Sequence, residues 1–242
     1  MNFEALNDYI SSTPLTWLIL TLLAYEIGII IYEKCNKHTL LQPVIISYII
    51  LLSLVFFTNT SFEKYFKSVE IIHFFLGPAT VALALPLYNN LKYIRQLFLP
   101  IIITLIVAGI FSVLIAVLLL WVFGASTVTI LSMTTKSITA PIAIITSEQI
   151  GAIPSLAIGF VIITGIIGAL FGSIVFKIVK IKHETSKGFA LGLVSHGIGT
   201  ARAIEISEKA AAFAALAMGL SGIFTAVFLP VIIEFLKDFI SF

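Results

Sequence analysis

Residues 193–213, LVSHGIGTARAIEISEKAAAF, bring His196, Arg202 and Glu205 together between two long apolar runs. Their types and spacing suit recognition of a small anion. Gly197 and Gly199 are spaced to break a helix, Thr200 sets a hydroxyl at the break, and Arg202 follows two residues later. Free N–H groups at the start of a half-helix favour negative charge. A guanidinium beside them takes a carboxylate in a bidentate fork. Plainer readings stand beside these. Arg202 and Glu205, three apart, can neutralise each other inside a helix bundle, and His196 is as readily a hydrogen-bonded structural residue as a proton carrier.

The pattern recurs. GPATVALALP at 77–86, KSITAPIAI at 136–144 and GIGTARAIE at 197–205 each set a threonine, Thr80, Thr139 or Thr200, ahead of an Ala-rich run. One such hydroxyl can simply bond back to a helical carbonyl, but three at three breaks favour a binding role. Lys136 and Ser137 head the second copy, where Lys136 either binds the anion or snorkels to the membrane surface. Glu26, inside the first apolar run, suits either proton coupling or an interfacial position. The substrate-binding candidates are therefore Thr80, Lys136, Ser137, Thr139, His196, Gly199, Thr200 and Arg202, with Glu205 and Glu26 for ion coupling or structural pairing. The sequence offers no nucleophile with base and orienter, no metal-ligand set and no phosphate loop, so it reads as a non-enzyme without cofactor or metal.

The elements that must position these residues lie in a bilayer. Of 242 residues 60% are hydrophobic and 11% charged, with mean hydropathy +1.14, against about 25% charged in ordinary globular domains. An all-α polytopic membrane protein follows. The net charge of +2, with no basic block, argues against nucleic acid. Cys35 is the sole cysteine, which excludes an internal disulfide. The N-terminus, MNFEALNDYISSTPL, has neither a basic leader nor a cleavage site and reads as an uncleaved start.

Apolar segments fall at 15–32, 41–57, 70–88, 96–122, 128–149, 153–176, 188–205 and 208–236. Lysines and arginines follow the first, third and sixth, whereas WVFGAST after the fourth is uncharged. The positive-inside rule then sets the basic loops in the cytoplasm and the N-terminus outside. Parity holds if 128–149, rich in hydroxyls and carrying Lys136 and Pro141, enters and returns to the same side while 188–205 crosses. The expectation is about seven transmembrane helices plus one re-entrant segment. A single membrane domain, 1–242, comprises two N-terminal helices (1–60) and three units of broken segment plus helix at 70–122, 128–176 and 188–236. The long helices carry AGIF at 108–111, TGII at 164–167 and SGIF at 221–224, where Gly109, Gly165 and Gly222 read as packing positions. The first and third units are the better matched pair and read as inverted repeats.

The run FLGPATVALALPLYNN, then KSITAPIAI with EQIGAIPSL, then SHGIGTARAIE with AFAALAMGLSGIFTA, resembles the LrgB/CidB family across about residues 70–232. The resemblance implies a multi-pass protein of the bacterial inner membrane, made with a small holin-like LrgA/CidA partner. It extends to a domain of the plant plastid glycolate/glycerate transporter and to bacterial pyruvate-uptake systems. Lys136, Ser137, Thr139, Pro141, His196, Gly197, Gly199, Thr200 and Arg202 all stand where the family pattern has them. Two functions compete. One is a monocarboxylate carrier (pyruvate, glycolate or similar) working by alternating access, alone or with the LrgA-like subunit. The other is an antiholin-like regulator of a holin-type pore and of murein hydrolases. Intramembrane ionisable residues favour the carrier; self-association is left open.

Overall fold

A computed structural model describes residues 14–36 and 41–237. Every element among them is helical, and the chain divides into two compact units, Met1–Ala82 and Leu83–Phe242.

The N-terminal unit holds α1 (Pro14–Lys34), α2 (Pro43–Phe57), α3 (Phe62–Ser68) and α4 (Glu70–Ala82). Pro43 starts α2 where a missing N–H costs nothing. Gly28 lets α1 meet that start, since a Cβ there would lie 2.6 Å from the Pro43 carbonyl oxygen. Trp17, fully buried, stacks edge-on against Tyr65 of α3, centroids 5.5 Å apart. α3 lies in a stretch too polar for the apolar pattern to mark; Ser61 caps it by accepting from the Lys64 N–H.

The second unit begins with two short helices, α5 (Ala84–Asn89) and α6 (Leu91–Gln96), then the long α7 (Phe98–Val122). A broken pair follows, α8 (Thr127–Thr134) and α9 (Ala140–Ile150), then α10 (Pro154–Ile178), α11 (Glu184–Ile204) and α12 (Glu208–Lys237). Four described helices, α1, α7, α10 and α12, are long and apolar enough to cross a membrane. Their outward faces are lined with Leu, Ile, Val and Phe, as lipid-facing surfaces require. The chain is an integral membrane protein.

Of about seven expected crossings, four stand out by length and composition among the described residues; the rest of the count turns on the shorter and broken segments. The 70–88 segment is two short helices. Segment 127–150 doubles back: Ser132 Oγ accepts from the Ile153 N–H at 3.1 Å, and Leu131 packs with Ile150. Segment 184–204, expected to cross, doubles back as well. A Cβ on Gly188 would strike the Ala210 carbonyl and one on Gly192 the Ala214 carbonyl, so residues 184–195 run parallel to the start of α12. For two successive helices to run parallel, the chain between them must return. Residues 197–204 make that return, pressing Gly199 onto the Leu191 carbonyl and Ala203 into a cluster with Phe176, Leu191 and Ala210.

α10 fixes the other side. Gly165, Gly168 and Gly172 form one stripe facing His196, Ser195 and Leu191 in turn. The order is reversed, so α10 runs antiparallel to the first arm of α11 and therefore to α12. Small residues on both contacts bring backbones together where lipid gives no hydrophobic drive.

Candidate functional site

Both breaks come to the middle of the long helices. The first spans Thr135 to Thr139, four polar residues and Ile138 between two helix ends, with Thr139 as N-cap of α9 and Pro141 in its first turn. Thr135 is fully buried and Ile138 is 1% exposed, whereas Lys136, Ser137 and Thr139 are half-buried. The second break is a single residue. His196 has φ 41° and ψ −125° inside α11, a left-handed conformation that favours glycine and costs a bulky residue about 1–3 kcal/mol. The sequence pointed to Gly197 and Gly199 as the breakers; both instead lie in the helical second arm, and Gly199 serves the close approach to Leu191.

The His196 ring is fixed where it lies. Nε2 donates to the Val161 carbonyl at 3.0 Å, because a carbonyl can only accept. Gly165 makes room for the ring, as a Cβ there would sit 2.9 Å from it. Thr200 Oγ1 donates to the His196 carbonyl at 2.8 Å, closing the turn, and reaches Met218 Sδ.

Between the breaks lies a cavity of about 50 Å³, room for about four waters. Ser137 and Ile138 reach it from the first break, Leu193 and Val194 from the arm that leads into the second. Its hydroxyls come from Ser112 of α7, Thr134, Ser137, and Ser221 and Thr225 of α12. Lys136 adjoins it: Nζ donates to Ser112 Oγ at 2.7 Å and Ser137 Oγ at 3.0 Å. No described carboxylate lies within salt-bridge distance of Lys136. A cation held by two neutral hydroxyls at this depth has spare attraction for an anion.

A wider vestibule of about 600 Å³ lies between α7 and the first arm of α11. It runs from Tyr93, His183 and Ser186 at one end to Ala108, Leu193 and Val194, which also line the inner cavity. Lys209 Nζ stands 4.0 Å above the Tyr93 ring beside that mouth.

The other candidates fall elsewhere. Arg202 pairs with Glu205 through a charged hydrogen bond and extends toward Ser173 Oγ at 3.4 Å. It does not line the cavity, nor do Thr139, Gly199 or Thr200. Glu26 is exposed on α1 in the N-terminal unit. The Thr80 side chain lies outside the described residues, as does that of His73. Ser112, Ser221 and Thr225 escaped the sequence reading, although they belong to AGIFS at 108–112 and SGIFT at 221–225. The repeated motif carried the hydroxyls, and its glycines drew attention to packing alone. No group of three or more His, Cys, Asp or Glu able to hold a metal exists among the described residues.

The chain is similar to proteins named antiholin-like protein LrgB in Bacillus cereus and Bacillus anthracis, each 31% identical over 224 residues, covering 93% of this chain and 97% of theirs. No solved structure matches it. The LrgB-like family model matches residues 21–235, a span that takes in both breaks, the cavity, α7 and α10 whole and most of α1 and α12, and the chain belongs to that family.

Proposed function

We propose that the chain is a carrier that moves a small monocarboxylate, of the pyruvate or glycolate kind, across the bacterial inner membrane by alternating access, together with an LrgA/CidA-like subunit. The observation that carries this reading is the meeting of two doubled-back segments at a largely apolar cavity that Ser112, Ser137 and Thr225 border and that Lys136 adjoins. Carriers with inverted repeats bind substrate near the midplane, where discontinuous helices from the two halves meet. Residues 127–178 and 184–237 fit that scheme, each a doubled-back segment followed by a long helix, the two long helices antiparallel. The inverted pair on this reading is the second and third units rather than the first and third. The positive-inside rule assigns the end bearing Lys177 to Lys187 to the cytoplasm and the N-terminus to the outside. The vestibule then opens inward.

In this scheme Lys136, Ser137 and Ser112 hold the carboxylate. Thr139, His196, Gly199 and Thr200 shape the breaks that bring those groups together. Arg202 and Glu205 brace the returning arm of α11, while Glu26 is left for ion coupling. The test is uptake of radiolabelled pyruvate and glycolate into proteoliposomes, with and without the LrgA-like partner. Saturable uptake lost in a folded Lys136→Ala variant is expected.

A second reading is an antiholin-like regulator of a holin-type pore and of murein hydrolases. The name borne by the Bacillus relatives supports it more directly than it supports a carrier. Absence of uptake in every arrangement, with a co-purifying LrgA-like protein, would favour this second reading.

A further inference from the structure

Away from the cavity, a pocket of about 400 Å³ opens where α10 ends and α11 begins. Lys177, Lys180, Lys182 and Lys187 surround it, Phe176, Ile181 and Ile206 form its apolar wall, and Ser173 adds a hydroxyl. Among the described residues no carboxylate lines it, and Glu205, next to Ile206, is paired with Arg202. The positive-inside rule accounts for lysines at this end, but it does not account for their convergence on one concave, half-apolar site.

The local backbone adds a second, independent sign. α10 ends in a Schellman turn, with the Ile181 N–H bonded to the Phe176 carbonyl at 2.8 Å and the Lys180 N–H to the Lys177 carbonyl at 3.2 Å. Lys180 occupies the left-handed position of that turn, φ 58°, where glycine is the default and a side chain costs stability. The position whose geometry favours glycine carries a lysine, and that lysine lines the pocket.

We propose that this pocket binds the phosphate of an anionic phospholipid headgroup, with the four ammonium groups and the Ser173 hydroxyl on the phosphate and with Phe176, Ile181 and Ile206 against the glycerol and upper acyl carbons. The site lies at the end of a 25-residue apolar helix, the depth at which headgroups are found. Basic pockets between membrane helices recognise such headgroups, each lysine near the surface strengthening binding about fivefold. This site is independent of transport.

The test is native mass spectrometry and thermal shift of the purified full chain titrated with phosphatidylglycerol, phosphatidylcholine or inorganic phosphate. The test variant is Lys180→Gly with Lys182→Gln; the control, Lys92→Gln with Lys209→Gln, removes the same charge elsewhere. Phosphatidylglycerol is expected to bind and stabilise the wild type and the control, and to bind the test variant about 25-fold more weakly. Lys180→Gly alone is expected to raise lipid-free stability, which separates loss of the site from misfolding. Equal binding of phosphatidylcholine, equal loss in the control, or stabilisation by inorganic phosphate as strong as by phosphatidylglycerol would each overturn the proposal.

Discussion

The two broken segments reach the same end by opposite means. Segment 127–150 turns through a short non-helical linker, Thr135 to Thr139, which presents the Ser137 side chain to the cavity and holds Lys136 beside it. Segment 184–204 turns at His196 alone and uses its polar groups to hold the turn: the ring goes to Val161, and Thr200 goes to the His196 carbonyl. A linker relaxed in conformation can spend its chemistry on a ligand, whereas a strained turn needs its chemistry for itself. On the proposed carrier reading, the first break is the binding side and the second the framework, although the sequence pointed most strongly to the second.

The largest expected effect comes from forcing the framework apart. Gly192 touches the Ala214 backbone so closely that any side chain must separate α11 from α12. Gly192→Leu is expected to prevent folding of the second unit, seen as loss of the monodisperse species in size-exclusion chromatography. Gly219, with open space around its Cβ position, is the matched control, and Gly219→Ala should fold normally.

Next comes the binding side. Lys136→Ala removes the cation that Ser112 and Ser137 orient, and a hydrogen bond to a charged group is worth about 1.5–3 kcal/mol. Anion uptake should fall by about 10–150-fold with thermal stability of the purified protein little changed. Arg202→Ala, by contrast, breaks a bond to Glu205 outside the cavity, so it should lower stability more than substrate affinity. If Arg202→Ala abolished uptake in a stable protein while Lys136→Ala did not, the assignment of the two breaks would be reversed.

The fold was legible wherever composition alone decides. Three long spans of the second unit, at 96–122, 153–176 and 208–236, were within two residues of α7, α10 and α12, because unbroken apolar runs of this length have one use. The hydroxyl-rich 128–149 segment was read as doubling back, and the chain does return there. The return of α11 was hidden, since it depends on which faces of 184–195 and 208–217 meet, a tertiary fact set by Gly188 and Gly192 against alanine backbones. The break itself was assigned to glycines because they tolerate unusual φ; packing around the ring moved it onto His196. Ser112 and Thr225 were visible only as letters in a repeat, since a hydroxyl inside an apolar helix has no periodicity to show whether it faces lipid, a carbonyl or a cavity.

His196 then decides whether the second break is framework. Two substitutions separate its strain from its hydrogen bond. His196→Ala keeps the unfavourable φ, removes the bond to Val161 and empties the space against Gly165, so it should cost about 2 kcal/mol. His196→Gly loses the same contacts but relieves the strained backbone, recovering about 1 kcal/mol of that loss. The expected order of thermal stability is wild type, then Gly, then Ala, measured on purified protein in one detergent. A proton carrier predicts a different pattern, with both variants equally stable and uptake losing its pH dependence in both. At the small end of the scale, Ser195 lies beside this turn with its Oγ fully buried and no hydrogen-bond partner among the described residues. Removing an unsatisfied buried hydroxyl is close to neutral or mildly stabilising. Ser195→Ala should therefore leave stability within about 0.5 kcal/mol of wild type or above it. A clear loss would mean that the hydroxyl holds a group of its own, and the second break would then share in binding after all.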